Sequence, residues 1–348
     1  MPDSGRELLL GFRRAEELHP GLIHESSYRM AGCTVTVRLI GHRLGATLTR
    51  ALAHLSLSVI SRTPDLLIEA WDEAETGVGT PVTRARDDHS TPGTTTVSED
   101  GRYVVFEQAT TQSVLDRTGQ HIVTWVAGAE RLTQYELGRP WHSELLLWQR
   151  DRGLLPVHAG FIERDGLGVL LGGPGGSGKS TTALVCMRAG WSYLADDYVG
   201  IQVRPEGGFT GHGIYCSAHL EPENLGRFPE FVPGAIHGKL SREDKSLVLL
   251  STVAGTSLTG TAEIRVLALP RVVNADETTF RPARKAEALL RLAPSSLQLL
   301  PFAGLGHSGF QTLTTLVEQL PTYWLELGRD RGQLPRAVAE LVQQVGSA

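Results

Sequence analysis

One run of eight residues constrains this chain more than anything else in it: Gly173-Pro174-Gly175-Gly176-Ser177-Gly178-Lys179-Ser180. The run matches G-x-x-x-x-G-K-[ST] in full. An apolar β pattern (167–171) precedes it, and a helical pattern (177–189) follows, closed by Gly190 in the C′ position. Strand, glycine-rich loop and helix in that order belong to an α/β sheet with a phosphate-binding loop at its carboxyl edge. The glycines let backbone N–H groups close around phosphates, and the helix N-terminus adds positive dipole. Lys179 is expected to reach the β and γ phosphates. The Ser180 hydroxyl is expected on a magnesium ion, with Thr181 and Thr182 near the α phosphate or capping the helix. The expected cofactors are therefore ATP and Mg2+, with GTP not distinguished from ATP.

The surrounding residues say more than the motif. Asp196 and Asp197 follow Lys179 after one predicted helix and one short predicted strand (192–195). A right-handed crossover brings the end of that strand to the same sheet edge as the loop. One carboxylate can then bind metal while the other takes the proton of an attacking hydroxyl. A simple Asp-Asp turn is the plainer alternative. His158 is the third element. The runs 156–163 and 167–171 are joined by Arg164, Asp165 and Gly166, a strong hairpin signal. A two-residue turn at Asp165-Gly166 sets partner numbers summing to 331, which puts His158 opposite Gly173, at the mouth of the loop. There an imidazole can contact phosphate or orient a carboxylate. A one-residue slip would reverse its facing.

The rest of the chain divides near Pro140. Before it, 34–40 (TVTVRLI), 66–71 (LLIEAW), 103–108 and 121–127 read as strands, and 44–57 has helical spacing. The stretch 75–101 is dense in Gly, Pro, Thr, Ser and Asp and reads as a loop. A helix is expected from Pro140 to about Arg150, with Trp141, Leu145, Leu146 and Trp148 on its apolar face. Beyond it, 262–269 and 322–327 read as strands, and 287–292, 311–320 and 335–345 as helices. The expected architecture is α/β: a strand-rich N-terminal domain (1–138), suited to substrate recognition, followed by a P-loop domain (139–348).

Composition excludes some classes. With 348 residues, 41% of them hydrophobic, there is ample core. A net charge of −5 argues against nucleic acid as the main partner, although a local basic groove stays open. Cys33, Cys186 and Cys216 lie far apart and form neither a disulfide framework nor a zinc pattern. The charged first turns lack a signal-peptide pattern, and no apolar run reaches the roughly 20 residues of a membrane span. The expectation is a cytoplasmic protein with no membrane partner, and a homo-oligomer is compatible with it.

At this point the residues resemble a family. The segment 156–201 (PVHAGFIERDGLGVLLGGPGGSGKSTTALVCMRAGWSYLADDYVGI) is similar to the catalytic core of HPr kinase/phosphorylase. More broadly, it resembles the group sharing a nucleotide-binding core with ATP-dependent phosphoenolpyruvate carboxykinase. There a histidine precedes the hairpin, the phosphate loop follows, and paired aspartates close the next strand. His158, residues 173–180 and Asp196-Asp197 match those positions. The resemblance implies that Asp196 is the general base toward a serine hydroxyl and that Asp197 helps hold the metal. The family's Glu-x-Arg-Gly-x-Gly signature, tied to phosphorylase activity, has no counterpart here. The layout is closer to stand-alone HPr-kinase-like proteins of peptide natural product clusters, lasso peptides included, which implies a peptide serine as acceptor.

Weaker candidates are Lys239, Arg242 and Lys245 in a possible cationic loop, and Arg265 or Arg271 for the phosphates, with structural ion pairs at least as plain a role for the arginines. His212, His219, His237 and His307 lack metal-ligand spacing. Three other readings stay open: a kinase of small hydroxyl compounds, a nucleotide-gated peptide-binding protein with slow hydrolysis, and a carboxykinase, which needs an arginine carboxylate site that the sequence does not present.

Overall fold

A computed structural model of the chain describes residues 3–80, 93–237, 245–297, 299 and 306–346. The chain forms two compact units, Met1–Glu144 with Ile236–Leu247, and Leu145–Ala235 with Val248–Ala348. Among the described residues no helix is long and apolar enough to cross a membrane.

The first unit is built on seven strands: β1 (Ile23–Met30), β2 (Cys33–Ile40), β3 (Leu66–Asp72), β4 (Thr94–Val97), β5 (Tyr103–Glu107), β6 (Thr111–Asp116) and β7 (His121–Val126). They form one sheet in the order β1-β2-β3-β7-β6-β5-β4. The strands expected from alternation are present as β2, β3, β5 and β7. The unanticipated β1 (IHESSYRM) is polar along much of its length, and full-length antiparallel pairing with β2 makes it a strand. The helix Asp3–Leu18 was likewise not anticipated. It buries Leu8, Phe12 and Ala15 against Ile40, Trp71 and Val123, so its stripe is recognisable only once that sheet face exists.

The helix expected over 44–57 is instead a short helix, His42–Thr47, and a 3-10 turn, Arg50–Leu55. The Thr47 hydroxyl donates to the Arg43 carbonyl at 2.7 Å, a local bond that competes with helix propagation. The loop expected over 75–101 holds the end of a one-turn helix, Glu73–Thr76, and β4. Its residues 81–92 lie outside the described ones. The helix expected from Pro140 begins two residues later, as His142–Asp151, because Trp141 takes a left-handed φ of 52°.

The second unit contains β8 (Leu155–Val157), β9 (Ala159–Arg164), β10 (Leu167–Gly172), β11 (Ser192–Ala195), β12 (Val199–Val203) and β13 (Phe209–Gly213), then the strands Thr261–Val272, Thr279–Pro282 and Thr322–Leu327. The sheet runs β11-β9-β10, then the long strand Thr261–Val272, then β13-β12-β8. Thr322–Leu327 also pairs with the long strand, and Thr279–Pro282 lies outside it. β10, Thr261–Val272 and Thr322–Leu327 are parallel, so their carboxyl ends share one edge. The other strand pairs of the sheet are antiparallel, and apolar side chains cover both of its faces. On one face the helix Lys179–Arg188 packs Ala183, Leu184 and Met187, and the helix Leu334–Gly346 packs Val338 and Leu341, in one core with Leu171, Val266 and Leu325. On the other, Leu292, Leu313 and Leu316 pack with Leu170, Leu267 and Leu269.

Candidate functional site

The phosphate loop is a strand-to-helix turn. β10 ends at Gly172, residues 173–178 turn, and a helix starts at Lys179. Gly178 has a φ of 103°, and a Cβ there would lie 2.4 Å from Leu327 Cδ1. The left-handed conformation is the one that favours glycine there, and a side chain would also have to displace the Leu327 tip. Lys179 is buried, and its Nζ donates to the carbonyls of Gly173 (2.8 Å) and Pro174 (3.2 Å). The hydroxyls of Ser177 and Thr182 are buried and, among the described residues, have no hydrogen-bond partner. Buried hydroxyls are rarely left in that state, and a bound phosphate is the class of group that satisfies a loop hydroxyl such as Ser177. Ser180 and Thr181 lie half-buried on the first helical turn. The donor set therefore fits a nucleotide phosphate chain, with the Ser180 hydroxyl suited to a magnesium ion.

The hairpin has the expected register. Asp165 (φ 55°) and Gly166 (φ 80°) make a two-residue turn with both central residues left-handed. The ladder runs from Leu167↔Arg164 to Gly172↔Ala159, so His158 is the next residue, at the level of Gly173. The run 156–163 is not one strand, however. It breaks at His158, whose N–H donates to Ser296 Oγ at 3.2 Å instead of to a neighbouring strand. The preceding β8 pairs with β12, matching Pro156 with Gly200. The break leaves the imidazole at the loop mouth.

β11 pairs antiparallel with β9, which is itself antiparallel to β10. β11 and β10 therefore run the same way, and the aspartates after β11 reach the edge where the phosphate loop begins. A bulge between Tyr193 and Ala195 bends the end of β11. The Asp197 carbonyl accepts from the Ala159 N–H at 3.1 Å, and Asp197 Oδ1 lies 3.5 Å from His158 Nε2. Asp197 and His158 keep 26% and 19% of their side chains accessible, whereas Asp196 is only 4% exposed. The Tyr193 hydroxyl donates to the Ser217 carbonyl at 3.0 Å and also makes a side-chain hydrogen bond with Asp196. Burial first, then the charges of Asp196 and Asp197, push the Tyr193 phenol well above its usual range. Tyr193 thus stays a neutral hydrogen-bonding group.

The structure brings His158, the loop residues Gly173, Gly175, Gly176, Ser177, Gly178, Lys179, Ser180 and Thr181, and Asp196-Asp197 to one sheet edge. It does not bring Arg265 there. Arg265 follows Ile264, the partner of Gly168, at the amino half of the sheet, about 16 Å along the strand from Gly173 at 3.3 Å per residue. There it pairs with Glu263 at 2.9 Å, the ordinary ion pair of an exposed strand face. Arg271 is at the right edge, one residue beyond Pro270, and stacks on Trp324 at 4.6 Å beside Glu326. Lys245 precedes the strand Ser246–Leu249 and belongs to the unit that does not contain the phosphate loop. Lys239 and Arg242 lie outside the described residues. Sequence reasoning missed Tyr193 and Ser296. Tyr193 reads as one more apolar strand residue, and Ser296 lies 138 positions from the histidine that it supports.

An HPr kinase/phosphorylase of Treponema pallidum subsp. pallidum is 27% identical over 172 residues, covering 47% of this chain and 54% of that protein. This chain is similar to HPr kinase/phosphorylase. The enzyme of that name from Treponema pallidum strain Nichols matches to the same extent. The chain thus spans about half the length of the curated relatives that it matches. A family model described as SynChlorMet cassette protein ScmC matches residues 142–229, about a quarter of the chain, which contain His158, the phosphate loop and both aspartates. A solved structure, the Hpr(Ser) kinase/phosphatase from Coxiella burnetii, covers 55% of this chain and 98% of its own at 12% identity, with a TM-score of 0.30. At that score the structural likeness adds nothing to the sequence matches.

Proposed function

We propose that this chain is a Mg-ATP-dependent kinase that transfers the γ-phosphate to a serine hydroxyl of a peptide or protein, in the manner of an HPr-kinase-like enzyme. The observation that carries the reading is the contact of His158 with Asp197 at the mouth of the phosphate loop, with Asp196 behind it.

The roles divide by exposure and chemistry. Backbone N–H groups of the loop cradle the phosphates, and Lys179 leaves the carbonyls of Gly173 and Pro174 for the β and γ phosphates. Ser180 and Asp197 are the residues that would hold magnesium. That ion, when bound, neutralises charge on the phosphate chain. His158 orients Asp197 and fixes its direction at the loop mouth. Asp196, held by the Tyr193 hydroxyl, takes the proton of the serine hydroxyl as its oxygen bonds to the γ-phosphorus. The bond from that phosphorus to the β–γ bridging oxygen breaks, and ADP leaves.

The acceptor class rests on the resemblance to cluster-associated kinases, and a cluster-type family match over the site supports it. The test uses the full chain, magnesium, γ-labelled ATP and paired peptides that differ by one Ser→Ala change. Label is expected in the serine peptide alone. Label in a small hydroxyl compound and in neither peptide would move the assignment to a metabolite kinase. ATP hydrolysis with no labelled acceptor of either kind would make the chain a nucleotide-gated binding protein.

A further inference from the structure

The first unit holds a second built site, unrelated to the phosphate loop. A cavity of about 190 Å³ lies there, with Glu144, Trp141, Tyr135, Glu136 and Leu132 in its wall. Glu144 is its unusual member. Its side chain is nine-tenths buried, and its carboxyl accepts a hydrogen bond from the Ser113 hydroxyl. Among the described residues no cation pairs with it, and burial pushes it up from the usual carboxylate range. A carboxyl sealed from water is costly to ionise unless a positive charge joins it. Glu144 is among the residues that line the cavity, where a ligand can bring that charge.

Trp141 supplies the second half of the argument. Among the described residues it is one of only four non-glycine residues with positive φ, at 52°. A bulky residue holds that conformation only where its surroundings enforce it. Its indole N–H donates to Thr124 Oγ1 at 3.1 Å, so the N–H is engaged and the ring faces are what it can offer a ligand. An acid and an indole face in one wall form the pairing that recognises ammonium groups, by charge and by cation–π attraction. The same wall already stacks a cation on an aromatic ring: the Arg139 guanidinium lies 5.6 Å from the Tyr135 ring centre.

We propose that this cavity binds a primary ammonium group, with Glu144 as its counter-ion and Trp141 as its aromatic wall. The ammonium can come from a lysine side chain of a peptide or from a free small amine. The site stands whether or not the chain is a kinase, because its test reads binding without nucleotide.

The experiment uses the full 15N-labelled chain. The sequence has six tryptophans, so the indole N–H signal of Trp141 is assigned from a Trp141→Phe sample. The probes are n-butylamine and Nα-acetyl-lysine amide, with n-butanol and Nα-acetyl-norleucine amide as uncharged isosteres. Calorimetry gives the affinities. Saturable shifts of the Trp141 signal are expected with ammonium probes, with binding at least tenfold tighter than for the isosteres. Glu144→Gln, which keeps the side-chain shape, is expected to weaken ammonium binding at least tenfold. Equal binding of both amines points to a free amine, and a preference for the acetylated lysine to a peptide side chain. The proposal falls if no ammonium probe saturates, if the isosteres bind as well, or if Glu144→Gln binds as tightly as the native chain. The isostere comparison needs no variant, so it decides the matter even if Glu144→Gln does not fold.

Discussion

In the first unit, Arg38 gives its guanidinium to three carboxylates: Glu16, Glu25 at 2.8 Å and Glu69 at 2.6 Å. Glu69 takes a further contact from His121 at 2.9 Å. In the second unit, the glycine-rich loop and the helix after it leave two buried hydroxyls, Ser177 and Thr182, without partners among the described residues, and Lys179 folds onto the loop's own carbonyls. The first cluster is saturated from within, and the second keeps unused donors. Saturated buried charge holds a fold together, whereas unsatisfied buried donors are tolerated where a ligand completes them. The contrast separates structural polarity from functional polarity.

The sharpest way to break the contrast is Asp196→Asn. It removes a proton acceptor while keeping the side-chain shape, so phosphoryl transfer is expected to fall about 10²–10⁴-fold. ATP affinity, measured by calorimetry, is expected to stay within about threefold. If transfer survives and Asp197→Asn abolishes it instead, the base and metal roles belong to the opposite aspartates.

Arg38→Ala attacks the other side. Glu69 is only 7% exposed and would keep His121 alone as a partner. A loss of about 3–5 kcal/mol is expected in denaturant unfolding of the first unit. A loss under about 1 kcal/mol would class the cluster with weak surface ion pairs.

Lys179→Ala is expected to cost about 10²–10³ in transfer, the size of one lost donor to developing charge. Its melting temperature is expected to stay near that of the native chain, because this lysine serves a ligand more than the fold. A large drop in melting temperature would make Lys179 a structural group and erase the distinction between the two clusters.

Acid supplies the mildest test, since it acts on both units. Burial lowers His54 in the first unit and His212 in the second to about 4, against 6.5 in the unfolded chain. Between those values the unfolded state binds more protons, so stability is complete above about pH 6.5, falls as pH drops, and levels off below about 4. Each histidine accounts for about 1–3 kcal/mol of that loss. Urea midpoints at pH 7, 6 and 5 read it before most carboxylates titrate. Unchanged midpoints over that range would mean that neither histidine is shielded from water.

Much of the candidate site was readable in the chain because its parts are local. The phosphate loop is contiguous, and the Asp165-Gly166 turn sets the register that puts His158 beside Gly173. What escaped was long-range or disguised. The break of the strand at His158 needs Ser296 and β12, both distant in sequence. Arg265 read as well as Arg271 for the phosphates, because sequence spacing does not say which half of a strand lies at the functional edge. In the first unit β1 and the helix Asp3–Leu18 went unread, since neither carries a strong pattern without the sheet that buries it.

The sequence by itself determined that this chain has a G-x-x-x-x-G-K-[ST] turn between a strand and a helix, with carboxylates one strand later. Turn chemistry and glycine spacing act over a few residues and leave little choice. Only the tertiary structure decided that Asp197 meets His158 while Asp196 sits buried against Tyr193, and that Glu144 lines a cavity instead of facing water. Which of two adjacent side chains is exposed depends on what packs above them, and that is settled by elements far away along the chain.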